Sequence, residues 1–309
     1  MIKISDMIVK DDIEKLKKES QYALLKEQNI QAFLKQNHLD PSVMDDYWVE
    51  FLDYNDDFHV CQSCQSLNQC PKDTIGMQKI LKYYDGEIVL ELQSCPFGKE
   101  MEKKRKLLDH FVMSNVSEDL MLTDLSSLKI VENAAKLSAN HQNALGHILK
   151  YSQTPTSQGL FLHGPMGSGK TTLLAGLMNS LAKKDKQIGF IHFPTYLIDL
   201  KASFSSGDNE YAMDKLLKVD YLLLDELGEE NITAWSRDEI LLSILSYRLL
   251  NHLPTFFTSM YGYNELKKVY TLKKGDEIRA NTIISKLKAL SIEIMLSSNF
   301  ENVLKKVKH

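Results

Sequence analysis

The stretch Gly164-Pro165-Met166-Gly167-Ser168-Gly169-Lys170-Thr171 decides the fold of the second half of the chain. It follows the apolar run Leu160–His163, which is typical of a short buried strand, and precedes Thr172–Leu177, which begins an amphipathic helix. Glycines let such a loop turn its backbone N–H groups inward, and the helix N-terminus adds partial positive charge. The pattern therefore predicts a cradle for the phosphates of a nucleoside triphosphate.

Two side chains of this loop have predicted tasks of their own. We expect Lys170 to reach the β- and γ-phosphates and the Thr171 hydroxyl to ligate magnesium. The residues predicted to contact the nucleotide are Gly164, Pro165, Gly167, Ser168, Gly169, Lys170, Thr171 and Thr172.

A second motif is the apolar run Tyr221–Leu224, which is followed by two carboxylates, Asp225 and Glu226. Asp225 is predicted to hold magnesium through water, and Glu226 to orient or deprotonate the attacking water. Hydrolytic ATPases need this second carboxylate, whereas small-molecule kinases largely do not, because their acceptor already carries its nucleophile. The alternative is an acidic helix cap after an ordinary strand. We expect ATP hydrolysis to ADP and phosphate, with Lys170, Asp225 and Glu226 as the catalytic residues.

Further polar groups follow along the chain. The next apolar run ends in Thr258 and Ser259, either of which is a candidate to touch the γ-phosphate or the attacking water, with simple turn chemistry as the alternative. Several basic residues are candidates to complete the site as a finger, in the same chain or from a neighbouring one. These are Arg237, Arg248, Arg279, Lys286 and Lys288.

Short apolar runs alternate with helical patterns from about residue 141 onward. Strands separated by helices predict an α/β fold, in which a parallel sheet is covered by helices on both faces. The predicted strands are Leu160–His163, Gly189–Phe193, Tyr221–Leu224, Thr255–Thr258 and Ile292–Leu296. We divide the chain into a small α+β domain over residues 1–110, a linker over 111–140 and a phosphate-loop domain over 141–309.

The four cysteines form the pattern Cys61-x2-Cys64-x5-Cys70-x24-Cys95 in the first domain. Four thiolates are enough to close a tetrahedral zinc site, and a closed site is structural rather than catalytic. Asp85-Gly86, between two strand-like runs, predicts a hairpin that returns the last cysteine to the other three. His59 is the alternative to Cys70 as a ligand, and free buried cysteines are the alternative to a metal.

Composition excludes several classes of protein. The 309 residues carry a net charge of -4, so any contact with nucleic acid must come from a local basic patch. No run approaches the roughly 18 apolar residues that span a bilayer. Residues 1–6 lack the apolar core of a signal peptide. We therefore expect a cytoplasmic protein with no membrane partner.

Taken together, the motifs resemble those of the bacterial primosomal helicase loaders of the DnaC/DnaI class of AAA+ ATPases. The resemblance covers nearly the whole chain, including the cysteine-rich half and the phosphate loop. It also rests on Leu223–Gly228, Trp235–Glu239, Tyr247-Arg248 and Leu253–Ser259. The last three of these segments have no general phosphate-loop explanation, so they make the match specific.

The resemblance implies an AAA+ domain at 141–309 behind a small zinc-binding domain. It also implies that residues 1–110 bind the hexameric replicative helicase, and that the ATPase domain binds ATP, Mg²⁺ and single-stranded DNA. Such loaders help to place the helicase on single-stranded DNA during initiation and restart of replication. They self-associate on the helicase through the ATPase domain. The candidates for DNA contact are Lys201, Phe204 and residues 267–274.

The chain departs from the family pattern in two places. Met260 stands where the family usually has an asparagine that senses the γ-phosphate. Thr282 stands where the family has an arginine, so Arg279 becomes a candidate finger, while Lys286 keeps the charge of the basic sensor and is predicted to contact the nucleotide. These changes leave nucleotide binding intact and put the rate and trigger of hydrolysis in question.

Three other functions stay open. A zinc-containing nucleoside kinase also pairs a phosphate loop with four cysteines, but its metal site normally follows the loop, whereas here it precedes it. A transposition-type AAA+ ATPase shares the C-terminal motifs, although the N-terminal cysteine-rich domain argues against it. An adaptor that uses ATP only as a structural switch is compatible with Met260.

Overall fold

A computed structural model describes residues 10–126, 137–203 and 209–297. Packing divides the chain into two compact units, Met1–Lys103 and Lys104–His309. None of the helices in these described ranges is both long and apolar enough to cross a membrane.

The first unit packs three helices against one antiparallel hairpin. The helices are α1 (Lys10–Leu24), α2 (Gln28–Gln36) and α3 (Trp48–Gln62), and the strands are β1 (Met77–Tyr84) and β2 (Glu87–Ser94). The hairpin is confirmed: Asp85 and Gly86 both have positive φ, at 53° and 84°, as a two-residue I′ turn requires. The buried core is small and comprises Leu24, Ile30, Leu34, Met44, Phe51, Leu81 and Ile88. Helix α4 (Pro96–Leu108) follows.

The second unit is built on a parallel sheet, as the sequence predicted, with the five predicted strands and a sixth, β3, that was not predicted. Its strands are β3 (Met113–Ser114), β4 (Gly159–His163), β5 (Ile188–His192), β6 (Tyr221–Asp225), β7 (Thr255–Ser259) and β8 (Ser291–Met295), in the order β3-β5-β6-β7-β4-β8. The helices around them are α5 (Glu118–Met121), α6 (Ala139–Gln153), α7 (Lys170–Ala182), α8 (Phe193–Ser203), α9 (Asn209–Lys218), α10 (Leu242–Leu250), α11 (Tyr263–Val269) and α12 (Glu277–Leu290). A π-helical segment, Trp235–Leu241, leads into α10.

Neighbouring residues of each strand point to opposite faces of the sheet, so one strand contributes to two apolar cores. In β4, Leu162 belongs to the apolar core that contains α6 and α7. Phe161, one residue earlier, belongs to the core that contains α8, α10 and α12. Because the strands are parallel, their carboxyl ends meet at one edge of the sheet, where polar side chains from separate segments come together.

Residues 111–126, the described part of the predicted linker, belong to the second unit. Met113 and Ser114 pair with Gly189 and Phe190, which extends the sheet by one strand. Phe111, Met121 and Leu125 are buried in the core of the second unit. The core therefore holds residues 111–126 in place, and the unit boundary lies at Lys103 instead of at 110. Residues 127–136 of the predicted linker lie outside the described residues.

Candidate nucleotide-binding site

The phosphate loop joins β4 to α7 through a backbone path that only glycine follows easily. Gly164, Gly167 and Gly169 have φ angles of 145°, 75° and 83°. A Cβ on Gly164 would also lie 1.9 Å from the carbonyl oxygen of Leu296, at the end of the neighbouring strand β8. Two independent constraints, positive φ and close backbone approach, thus explain the glycine pattern.

Lys170 lies at the start of α7 and is buried. Its Nζ donates to the carbonyl oxygens of Gly164 at 2.9 Å and Pro165 at 3.0 Å. Burial lowers the pKa of this ammonium, while the nearby carboxylates of Asp225 and Glu226 raise it. The positive charge is therefore held inside the loop, in the place where phosphate oxygens are expected.

Asp225 is the point at which three elements meet. Its Oδ1 accepts hydrogen bonds from Thr171 Oγ1 on α7 at 2.8 Å and from Thr258 Oγ1 on β7 at 2.6 Å. Burial raises the pKa of this carboxyl, and the two hydroxyl donors oppose that rise. Thr171 and Asp225 together offer the hydroxyl and carboxylate oxygens that Mg²⁺ accepts when the remaining ligands are water and substrate phosphates. The residues present fit magnesium.

Glu226 directly follows this buried aspartate, in a left-handed backbone conformation with φ of 63°. Its N–H donates to Thr258 Oγ1 at 2.8 Å, so its backbone is tied to the same network. Its exposed carboxylate contacts His192 Nε2 at 2.9 Å. An ionised carboxylate only accepts, so Nε2 of His192 carries a hydrogen and donates to Glu226. In the neutral ring Nδ1 then accepts from the hydroxyl of Thr195 at 2.7 Å. His192 lies in neither of the two sequence motifs.

Ser259 does not have the position that the sequence predicted for it. Its hydroxyl donates to the carbonyl oxygen of Leu227 at 2.6 Å and accepts from the N–H of Tyr261 at 3.0 Å. Because adjacent residues of a strand point to opposite faces, only Thr258 is directed at Asp225. Ser259 is therefore a buried structural residue, and its assignment as a nucleotide contact is corrected.

The remaining sensor candidates lie on two elements. Met260 is half exposed just beyond β7, and Lys286 is half buried on α12. Among the contacts of the described residues, none joins Lys286 to the phosphate loop. Its contact with nucleotide stays a prediction.

Arg248 and Arg237 are buried structural residues, so neither is available to reach a neighbouring subunit. The Arg248 guanidinium is fully buried and donates to Thr255 Oγ1 and to several carbonyl groups, which lie 2.7–3.5 Å away. Burial lowers its pKa to about 9. Arg237 forms ion pairs with Asp238 at 2.8 Å and Asp276 at 3.1 Å. Arg279 is exposed on α12 and stays a candidate finger.

The candidates for single-stranded DNA contact are only partly described. Lys201 is exposed near the end of α8, and Phe204 lies outside the described residues. In the stretch 267–274, Lys268, Lys273 and Lys274 are exposed. Exposure alone does not establish contact with DNA, so DNA binding stays a prediction.

The four cysteines line one cavity of about 240 Å³ in the first unit. The Sγ of Cys61, however, accepts from Lys72 Nζ at 2.8 Å, and that ammonium also pairs with Asp57 at 2.6 Å. No three cysteine, histidine, aspartate or glutamate side chains of the described residues form a group that could hold a metal ion. His59 contacts Glu27 at 3.4 Å and does not line the cavity. The described residues therefore do not form the predicted zinc site, and zinc binding stays a prediction.

Comparison with known proteins identifies the family. Residues 104–299, more than half of the chain, match the family model described as IstB-like ATP binding protein. The chain belongs to this family. The match begins one residue from the packing boundary at Lys103, so family and second unit coincide.

Similar proteins narrow the assignment to the DnaC/DnaI class of AAA+ proteins. The replicative helicase loader DnaI of Bacillus subtilis (strain 168) is 26% identical over 290 residues, which cover 92% of this chain and 93% of that protein. A crystal structure of DnaI is 28% identical with a TM-score of 0.53, covering 59% of this chain and 94% of that chain. A putative primosome component from Streptococcus pyogenes serotype M3 is 28% identical with a TM-score of 0.52, covering 63% and 96%.

Replacing Arg248 by leucine tests its structural role. The change removes a charge but leaves Thr255 Oγ1 and the strand-end carbonyl groups without their donor, so we expect a loss of about 3–5 kcal/mol in the free energy of unfolding. Urea unfolding followed by circular dichroism measures this loss. The matched control, Arg279→Leu, alters an exposed side chain and should shift it by no more than about 0.5 kcal/mol. Unaltered stability together with lost ATP turnover in Arg248→Leu would contradict the assignment.

Proposed function

We propose that this protein is an ATP-dependent loader that binds the hexameric replicative helicase and helps to place it on single-stranded DNA in the cytoplasm. The observation that carries the proposal is the similarity to the helicase loader DnaI over 92% of the chain, which includes the first unit as well as the ATPase unit. An ATPase that shares only the phosphate-loop domain with the loaders would match over the second unit alone.

In the proposed ATP hydrolysis, separate residues bind the phosphates, bind magnesium and accept the proton. Lys170 and the loop N–H groups would hold the phosphates, and Thr171 with Asp225 would hold Mg²⁺, which when bound would offset charge on the phosphate oxygens. Glu226 accepts a proton from the attacking water, so that the bond between the water oxygen and the γ-phosphorus forms as the bond to the β,γ-bridging oxygen breaks. In this arrangement His192 contacts Oε2 of the Glu226 carboxylate, and this contact restrains how the carboxylate turns toward the attacking water.

The contact between His192 and Glu226 also favours one alternative function. The contact with His192 at 2.9 Å occupies Oε2 of Glu226 and restrains the direction in which the carboxylate faces, so the histidine competes with the attacking water for it. Together with Met260 at the sensor position, this favours a slow ATPase, in the limit an adaptor that uses ATP as a structural switch. We propose that Arg279, which is exposed on α12, completes the site of a neighbouring copy.

The proposed function is tested by mixing the full chain with the cognate hexameric helicase and following both complex size and ATP turnover. We expect a larger complex by light scattering and measurable phosphate release. Glu226→Gln should keep the complex and lower phosphate release by about 10²-fold or more, because it removes the base and leaves the phosphate contacts. Glu229→Gln, an exposed neighbour, is the matched control and should behave as wild type.

Two results distinguish the helicase loader from the adaptor that uses ATP only as a structural switch. No complex with the helicase at micromolar concentration would refute the loader. A complex that forms while Glu226→Gln and wild-type protein release phosphate equally slowly would leave the adaptor function and remove Glu226 from catalysis.

We propose in addition that the four cysteines bind one zinc ion. The proposal is supported by their common cavity and by peptide N–H groups that point at the sulfurs. The N–H groups of Lys72 and Gly76 lower the pKa of the Cys70 thiol, and the Gly98 N–H donates to Cys95 Sγ at 3.3 Å. Binding would replace the present contact of Cys61 with Lys72, and the metal would stabilise a unit whose apolar core is small.

Metal analysis of the purified full-length protein tests this proposal. We expect about one zinc per chain, and Cys64→Ser should lose the metal and lower the thermal stability of the first unit. Ser63→Ala, at the adjacent exposed position, is the control and should keep the zinc. Metal-free protein with four thiols that react with a chromogenic disulfide would contradict the proposal.

A further inference from the structure

A buried histidine outside both sequence motifs contacts the phosphate loop. His141 lies in the first turn of α6 and is 2% exposed. Its Nε2 lies 2.8 Å from the carbonyl oxygen of Ser168, and its Nδ1 lies 2.8 Å from the hydroxyl oxygen of Ser138. Ser138 is the N-cap of α6 and accepts the N–H of His141. The ring thus connects the start of one helix to the middle of the loop.

The partners determine which ring nitrogen carries the hydrogen. A carbonyl oxygen only accepts, so Nε2 of His141 must donate to Ser168. In the neutral ring Nδ1 then accepts from the hydroxyl of Ser138, whose oxygen in turn accepts the backbone N–H. The histidine is therefore oriented by its own helix cap before it reaches the loop.

The bond to Ser168 fixes one peptide plane of the loop. Ser168 stands between Gly167 and Gly169, which both have positive φ and few steric restrictions. In a trans peptide the carbonyl group and the following N–H point in opposite directions. When His141 holds the Ser168 carbonyl toward α6, the N–H of Gly169 is directed away from α6. This N–H is one of the loop groups expected to face the phosphates.

We propose that His141 is a positioning residue for the phosphate cradle, because it orients the peptide between Ser168 and Gly169 for anion binding. The inference rests on the nucleotide-binding part of the proposed function and adds a residue to it. The buried hydroxyl of Ser168, which has no partner among the described residues, gives this loop position no second anchor. The histidine supplies the anchor from outside the loop.

Three substitutions separate positioning from simple packing. In His141→Gln the side-chain amide nitrogen reaches about as far as Nε2 and can still donate to Ser168. In His141→Asn the shorter amide reaches about as far as Nδ1, so it keeps contact with Ser138 only. In His141→Leu both polar contacts are lost. The measured quantities are the dissociation constants of ATP and ADP by fluorescent-nucleotide displacement, together with the melting temperature without nucleotide.

We expect His141→Gln to bind nucleotide within about 3-fold of wild type, and His141→Asn and His141→Leu to bind about 10-fold more weakly, as expected for the loss of one loop-orienting hydrogen bond. A packing role would lower the melting temperatures without this order of affinities. If the leucine variant does not fold, the glutamine and asparagine variants still carry the comparison. Equal affinities of the asparagine variant and the wild type would overturn the proposal.

The readout also separates this proposal from the proposed function. Nucleotide affinity does not depend on hydrolysis or on the helicase. If wild-type protein binds ATP but neither hydrolyses it nor binds the helicase, the loader fails and the comparison of His141 variants stands. If the loader is upheld and the variants bind alike, only the role of His141 fails.

Discussion

The organisation of the ATPase unit depends on one buried carboxylate that accepts two hydroxyl groups. Asp225 is 4% exposed and accepts from Thr171 at 2.8 Å and from Thr258 at 2.6 Å. A buried carboxylate is costly unless its oxygens are bonded, so these donors are needed for the charged form to persist in the core. The same bonds fix the start of α7 and the end of β7 on the end of β6. A site for phosphate and magnesium is thereby held by the sheet itself.

This constraint places the groups that act on a nucleotide. The Glu226 N–H donates to the hydroxyl of Thr258 that also serves Asp225, so the second carboxylate follows the first in a fixed backbone position. Its side chain alone is free to change partner, and His192 is the partner it has. The buried part of the network therefore suits binding, whereas the exposed contact between His192 and Glu226 suits control of hydrolysis. The distinction supports the proposal that the chain binds nucleotide through the fixed groups and hydrolyses it slowly.

The features that could be predicted from the sequence are those that depend on neighbouring residues in the chain. The glycines of 164–169 are needed for backbone angles within the loop, and Asp225 ends an apolar run, so both leave a pattern in consecutive residues. Strand β3 was missed because a pair of residues shows no periodicity, and its burial is decided by a partner strand distant in sequence. Thr258 and Ser259 were both candidates because alternation shows that they face opposite sides without showing which side meets the phosphate loop.

The residues that sequence reasoning misjudged act through distant partners. Arg237 and Arg248 were candidates for a finger, although distant segments of the chain supply acceptors that bury each of them. His141 and His192 lie in no motif, and each gains its role from a partner on another element. The only hint in the sequence was position: His192 is the last residue but one of the predicted strand Gly189–Phe193, near the edge where the other site residues also lie.

The most direct test of this account is the dependence of ATP affinity on magnesium in wild-type and Asp225→Asn protein, measured by calorimetric titration with Mg²⁺ and with EDTA. Asparagine keeps the size of the side chain and can still accept both hydroxyl bonds, but it lacks the charge that holds the cation. The account predicts that removing magnesium weakens ATP binding by wild-type protein about 10-fold or more, whereas the variant binds weakly under both conditions. Full magnesium dependence in Asp225→Asn would contradict it.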